Sequence, residues 1–144
     1  MTQVTDAIRT IVRDRAAQRC EYCHFPGQLQ VGGFEIDHVR PLSKGGPTTL
    51  ENLAYACPRC NDRKWVHVEF TDPVAGESAP LFHPRQHRWE EHFEWAGLRR
   101  CEIVGKTPTG RATVAALRLN DLESVAMRHE LIRLGIPVGS HRSV

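Results

Sequence analysis

The stretch FEIDHVRPLSKGGPTTLENLAYACPRCNDRK, Phe34 to Lys64, decides the fold. It reads as strand, loop, strand, helix. Phe34 to Val39 alternates apolar and polar side chains, the period of a half-buried strand, and Pro41 limits how far that strand continues. Gly45-Gly46-Pro47 is loop chemistry, and Leu53 to Ala56 supplies a return strand. Pro58 stands where a helix can begin, because the first helical N–H needs no intrahelical acceptor, and Arg59 to Val68 follows without a breaker. Adjacent strand residues point to opposite faces, so Asp37 and His38 can share one target only at a strand end or a bulge; one of these is expected there.

Cys57 and Cys60 lie inside this stretch, and Cys20 and Cys23 form a second C-x-x-C pair upstream. Four thiolates are the donor set of a closed tetrahedral zinc site, which leaves no open position for substrate. The expected zinc is therefore a structural staple. The 33 residues between the pairs exceed the usual ribbon spacing of about 15 to 20, so the hairpin must be a folded insertion between them. Cys101, the fifth cysteine, reads as a free thiol in an apolar setting.

Working outward, Val4, Ile8, Ile11 and Val12 recur at helical spacing, and the pattern predicts a helix over residues 5 to 18 capped by Thr5. Residues 71 to 80, TDPVAGESAP, read as a surface linker. The run HPRQHRWEEHFEWAG predicts an aromatic cluster over the open side of the module. A short strand is expected at Cys101 to Val104, and helices at Thr109 to Leu119 and Leu122 to Leu134. His83 and His87 have helical spacing, but Pro84 spoils that geometry, so packing or DNA contact is the expectation for them.

Asp37-His38, then Asn52, then Cys57-Pro-Arg-Cys60-Asn61-x-x-Lys64 resembles the HNH endonuclease family, in the version with Asn at the third signature position. The segments LFHPRQHRWEEHFEW and GKTPTGRATVAALRLN are also similar to stand-alone bacterial proteins of that kind. The resemblance implies an α+β fold with a zinc-stapled ββα-metal (His-Me finger) core flanked by helices. It implies a one-metal hydrolysis of DNA with His38 as general base, Asn52 bracing the hairpin and orienting His38, and Asp37 and Asn61 as ligands of the catalytic ion. Some related toxin nucleases carry a further ligating His where this chain has Trp65. An oxygen-rich donor set favours Mg2+ or Mn2+ as the working ion. Lys64, Arg63, Arg85 and Arg111 are the candidate nucleic-acid contacts, and RNA stays open as a substrate.

Size and composition agree with this. At 144 residues the chain fits one compact domain or a module with an extension: residues 1–70 as the nuclease module, 71–80 as the linker, and 81–144 as an extension packing on it. Hydrophobic residues make up 40% and charged residues 25%, a mixture that folds. The net charge of +2 excludes a long basic tail as the basis of any phosphate binding, so such a surface must be assembled locally. No apolar run spans a bilayer, and the N-terminus lacks the apolar core of a signal peptide, which makes the expected location cytoplasmic. A monomer and a homodimer both fit. The rival reading is a non-catalytic zinc module that binds nucleic acid or protein.

Overall fold

Thr5 starts the first helix, its hydroxyl accepting from Ile8 N–H at 3.2 Å. In the computed structural model, which describes residues 3–138, this helix, α1, covers Asp6–Arg15. It stops short of the expected residue 18 because Ala17 and Gln18 take positive φ (54° and 57°), and Gln18 N–H closes back on Arg13 O at 3.0 Å. The chain then turns directly into the Cys20–Cys23 knuckle.

β1 (Glu35–His38) and β2 (Leu53–Ala56) form an antiparallel hairpin in the register Glu35↔Ala56, Ile36↔Tyr55, Asp37↔Ala54, His38↔Leu53. The pairing is regular, so no bulge precedes His38; His38 is instead the last residue of the strand, and Val39 N–H still donates to Asn52 O at 2.9 Å. All four β2 residues are buried.

α2 (Pro58–Lys64) follows, with Cys57 as N-cap and its Sγ accepting from Cys60 N–H at 3.4 Å. The expected continuation to Val68 does not occur. Trp65 adopts φ 47°, ψ −122°, and Lys64 O accepts from His67 N–H at 2.9 Å, which makes a type II′ turn directly after the helix. A side chain held in such a region costs about 1–3 kcal/mol.

Residues 71–80 are not a loose linker either. β3 (Glu69–Thr71) pairs with β4 (Ser78–Pro80), and Asp72 in the turn accepts from Arg111 through both oxygens, at 2.9 and 2.7 Å. Its Asp, Pro and Gly residues are hairpin-tip chemistry, which composition alone does not separate from a linker.

α3 (Trp89–His92) runs straight into β5 (Phe93–Ala96), which pairs with β6 (Glu102–Gly105). α4 (Pro108–Leu117) and α5 (Leu122–Arg133) are capped by Thr107 and Asp121 and lie within about two residues of their expected limits. Gly105 and Gly110 let α4 lie flush on this hairpin: a Cβ at 110 would stand 2.0 Å from His92 O, and one at 105 would stand 2.3 Å from Arg111 N.

Trp89, Phe93, Trp95 and Phe82 form the expected aromatic cover, with His24 of the knuckle stacked on Trp89 at 4.3 Å between ring centres. Trp89 Nε1 donates to Tyr22 O at 3.0 Å. Arg128 of α5 is buried beside the cover and donates to Cys101 O and Leu119 O at 2.9 and 2.6 Å. The mixed helices and small antiparallel sheets make the fold α+β.

Candidate active site and metal centre

The knuckle and the first turn of α2 bring four thiols together. Cys20, Cys23, Cys57 and Cys60 are all buried, and their sulfurs lie within 4.8 Å of one another. Zn–S bonds of about 2.3 Å in a tetrahedron imply S···S edges of about 3.8 Å; the Cys23 and Cys57 sulfurs are 3.7 Å apart. Burial pushes the Cys20 thiol up, neighbouring thiols push Cys60 up, and the thiols around Cys57 pull it down. Several thiolates in so small a volume repel one another, so the set suits a divalent cation that neutralises them.

The two residues between Cys20 and Cys23 both reach the hairpin. Glu21 accepts from Tyr55 N–H at 2.8 Å, and Tyr22, 1% exposed, donates its hydroxyl to Asp37 Oδ2 at 2.7 Å. Asp37 is itself buried, with Lys64 Nζ of α2 at 3.2 Å from Oδ2 and 3.3 Å from Oδ1. Lys64 also donates to His38 O at 3.3 Å. Burial lowers the Lys64 ammonium below its ordinary value, and Asp37 opposes that.

Strand alternation puts Glu35 on the same side as Asp37, and Glu35 accepts a hydrogen bond from Asn61 Nδ2. Asn61 thereby keeps its side-chain carbonyl oxygen available. Glu35 was missed by sequence reasoning, although its i, i+2 relation to Asp37 on a strand was the available signal.

His38 lies at the end of β1 with Nε2 2.9 Å from Thr48 Oγ1. Burial lowers its imidazole below the ordinary value, and Asp37 pulls the other way, so the neutral ring is favoured. Asn52 closes the loop that carries Thr48: its Oδ1 accepts from Arg40 N–H at 2.9 Å, and its Nδ2 donates to Arg40 O at 3.0 Å and to Pro47 O at 2.8 Å. Asn52 therefore braces the loop and does not touch His38 through any of these bonds. Thr48, the direct partner, was not singled out from the sequence, where a hydroxyl in a loop carries no signal.

Residues 20–65 match the HNH endonuclease family. The family model ends at Trp65, so the later elements lie outside the matched segment. No curated protein and no solved structure matches the chain significantly. Within the HNH segment, the strand–strand–helix order and the cysteine cluster stand as expected.

The expected nucleic-acid contacts do not stand free. Lys64 is buried against Asp37; Arg63 is 2.5 Å from Asp121; Arg85 is paired with Glu21; and Arg111 holds Asp72. Each cation offsets an internal carboxylate. His83 N–H donates to His87 Nδ1 at 2.9 Å, so these two histidines form a turn, and the helix suggested by their spacing is absent. No helix among the described residues is long and apolar enough to cross a membrane.

Proposed function

We propose that the chain is a metal-dependent DNA endonuclease that hydrolyses phosphodiester bonds with His38 as general base. The observation that supports it most is the position of His38. A base needs one ring nitrogen unprotonated and accessible. In the tautomer that donates Nε2–H to Thr48 Oγ1, the lone pair lies on Nδ1, which has no protein partner among the described residues. His38 then takes the proton of the attacking water at Nδ1, and its lowered basicity keeps it ready near neutral pH.

The catalytic ion would be held by Asp37 and Asn61, with Glu35 as a third oxygen donor. The hydrogen bonds described leave lone pairs for this on Asp37 Oδ1 and on the Asn61 carbonyl. Three hard oxygens suit Mg2+ or Mn2+, which would supply charge stabilisation to the phosphate and to the departing oxygen. Lys64 and Tyr22 together fix the orientation of the Asp37 carboxylate. Zinc bound by the four cysteines would staple the knuckle to α2.

With Lys64, Arg63, Arg85 and Arg111 engaged internally, phosphate contact passes to Arg40 and Lys44, both exposed on the loop beside His38. DNA is the substrate class that HNH nucleases act on.

The test is incubation of the chain and its His38→Ala variant with supercoiled plasmid in Mg2+, Mn2+ or chelator. Metal-dependent nicking or linearisation is expected from the wild type, with the variant slower by about a hundredfold or more. Binding of DNA without cutting under any ion would replace this reading with the zinc-containing binding module.

A further inference from the structure

Trp65 is a residue whose backbone and side chain both lack an internal justification. It occupies the first central position of a type II′ turn, where φ of 47° with ψ of −122° favours glycine. Burial does not compensate. Its side chain is 67% exposed, while Trp89 and Trp95 are 8% exposed. Among the described residues the only ring it meets is that of His67, edge-on at 5.8 Å, and His67 meets Phe70 in the same way at 5.7 Å.

The ring stands beside a surface cavity of about 530 Å³ lined by Arg59, Asp62, Arg63, His67 and Arg118. Arg59 and Arg63 are held there by Asp121 and Glu123. The Arg118 guanidinium has no side-chain acceptor among the described residues. Trp65 is also one turn beyond Asn61, whose backbone carbonyl oxygen accepts the Trp65 backbone N–H at 3.0 Å, so the exposed indole extends from the helix that carries Asn61.

We propose that Trp65 is a stacking platform for an unpaired nucleobase of the nucleic acid, with Arg118 meeting an adjacent phosphate. The proposal rests on the endonuclease reading and adds a substrate feature to it: a splayed or single-stranded base held at the C-terminal end of the helix that carries Asn61. Every base offers a π face, so the contact is indifferent to sequence, and an indole is the largest partner a side chain can present to it.

The chain, loaded with zinc and kept in chelator-free buffer without Mg2+ or Mn2+, is titrated with a fluorescein-labelled duplex bearing a single-stranded overhang. A matched duplex with an abasic overhang serves as the control. Anisotropy gives affinity, and the change in tryptophan emission on binding reports on Trp65, the exposed one of the three. The intact overhang should quench that emission and bind about tenfold tighter than the abasic one. Trp65→Gly should abolish that difference while raising the melting temperature, because glycine relieves the turn; Trp65→Phe should retain most of the preference.

Equal binding of the intact overhang by wild type and Trp65→Gly overturns the proposal. So does a fall in melting temperature in the glycine variant, which would show that the indole serves the fold. Failure of the wild type to bind either duplex removes the platform, and only an absence of metal-dependent cutting in the plasmid assay removes the endonuclease reading with it; duplex binding and plasmid cutting unchanged by Trp65→Gly remove the platform alone.

Discussion

At the scale of single residues, Tyr22 and Lys64 matter as much as the signature residues they touch. Tyr22 fixes the Asp37 carboxylate from inside the zinc knuckle. Loss of a hydrogen bond behind a metal ligand costs about 10- to 100-fold in metal affinity. On the proposed reading, in which Asp37 holds the catalytic ion, Tyr22→Phe is expected to raise the Mn2+ concentration needed for cutting by that factor, with zinc content unchanged; calorimetric titration of Mn2+ checks the binding separately from activity. Lys64 is a different case. Its side chain and that of Asp37 are 1% and 6% exposed, so removing the cation leaves a buried charge uncompensated. Lys64→Met should destabilise the fold by about 3–5 kcal/mol in urea denaturation. A phosphate-contacting lysine would instead leave stability almost unchanged.

At the scale of elements, the β3–β4 hairpin is tied to α4 through Asp72 and Arg111. The two hydrogen bonds from Arg111 hold the Asp72 carboxyl at about 2, against the opposing effect of burial. An unfolded Asp titrates near 3.9. The folded value is the lower one, so this contribution to stability is fully present above about pH 4 and is lost as the pH falls toward 2. Arg111→Ala should move the acid-unfolding midpoint, followed by circular dichroism, to higher pH.

The elements also show what the sequence could and could not carry. The cysteines and the ββα order were legible because ligand spacing and strand period are local properties. The fate of the basic residues was not, because each partner lies far along the chain: Lys64 is 27 residues from Asp37, Arg111 is 39 from Asp72, Arg63 is 58 from Asp121, and Arg85 is 64 from Glu21. Helix ends failed where positive-φ residues other than glycine stop them, at Ala17 and Trp65. Neither residue type announces such a turn.

At the scale of the whole molecule, the later half of the chain roofs over the earlier half. His24, next to the ligand Cys23, stacks beneath Trp89, and Tyr22 accepts from the Trp89 indole, so knuckle, hairpin and cover share one core. Zinc should therefore stabilise more than residues 20–60. Cys57→Ser, or removal of zinc by a strong chelator, is expected to lower the melting temperature of the entire chain in one transition, seen together in far-ultraviolet dichroism and in the tryptophan signal of the cover. A separate, unaffected transition for residues 81–138 would show that the cover folds alone.

The 3.7 Å approach of the Cys23 and Cys57 sulfurs has a practical side. Two thiols that close need little movement to join as a disulfide once no cation separates them. Metal stripped from the chain in aerated buffer would be followed by oxidation across the staple, and a crosslinked knuckle no longer offers four sulfurs to zinc. Reconstitution then depends on the order of additions: reductant first, zinc second, restores the site, while zinc alone does not. Handling in air without reductant would make a chain able to bind zinc look like one that cannot.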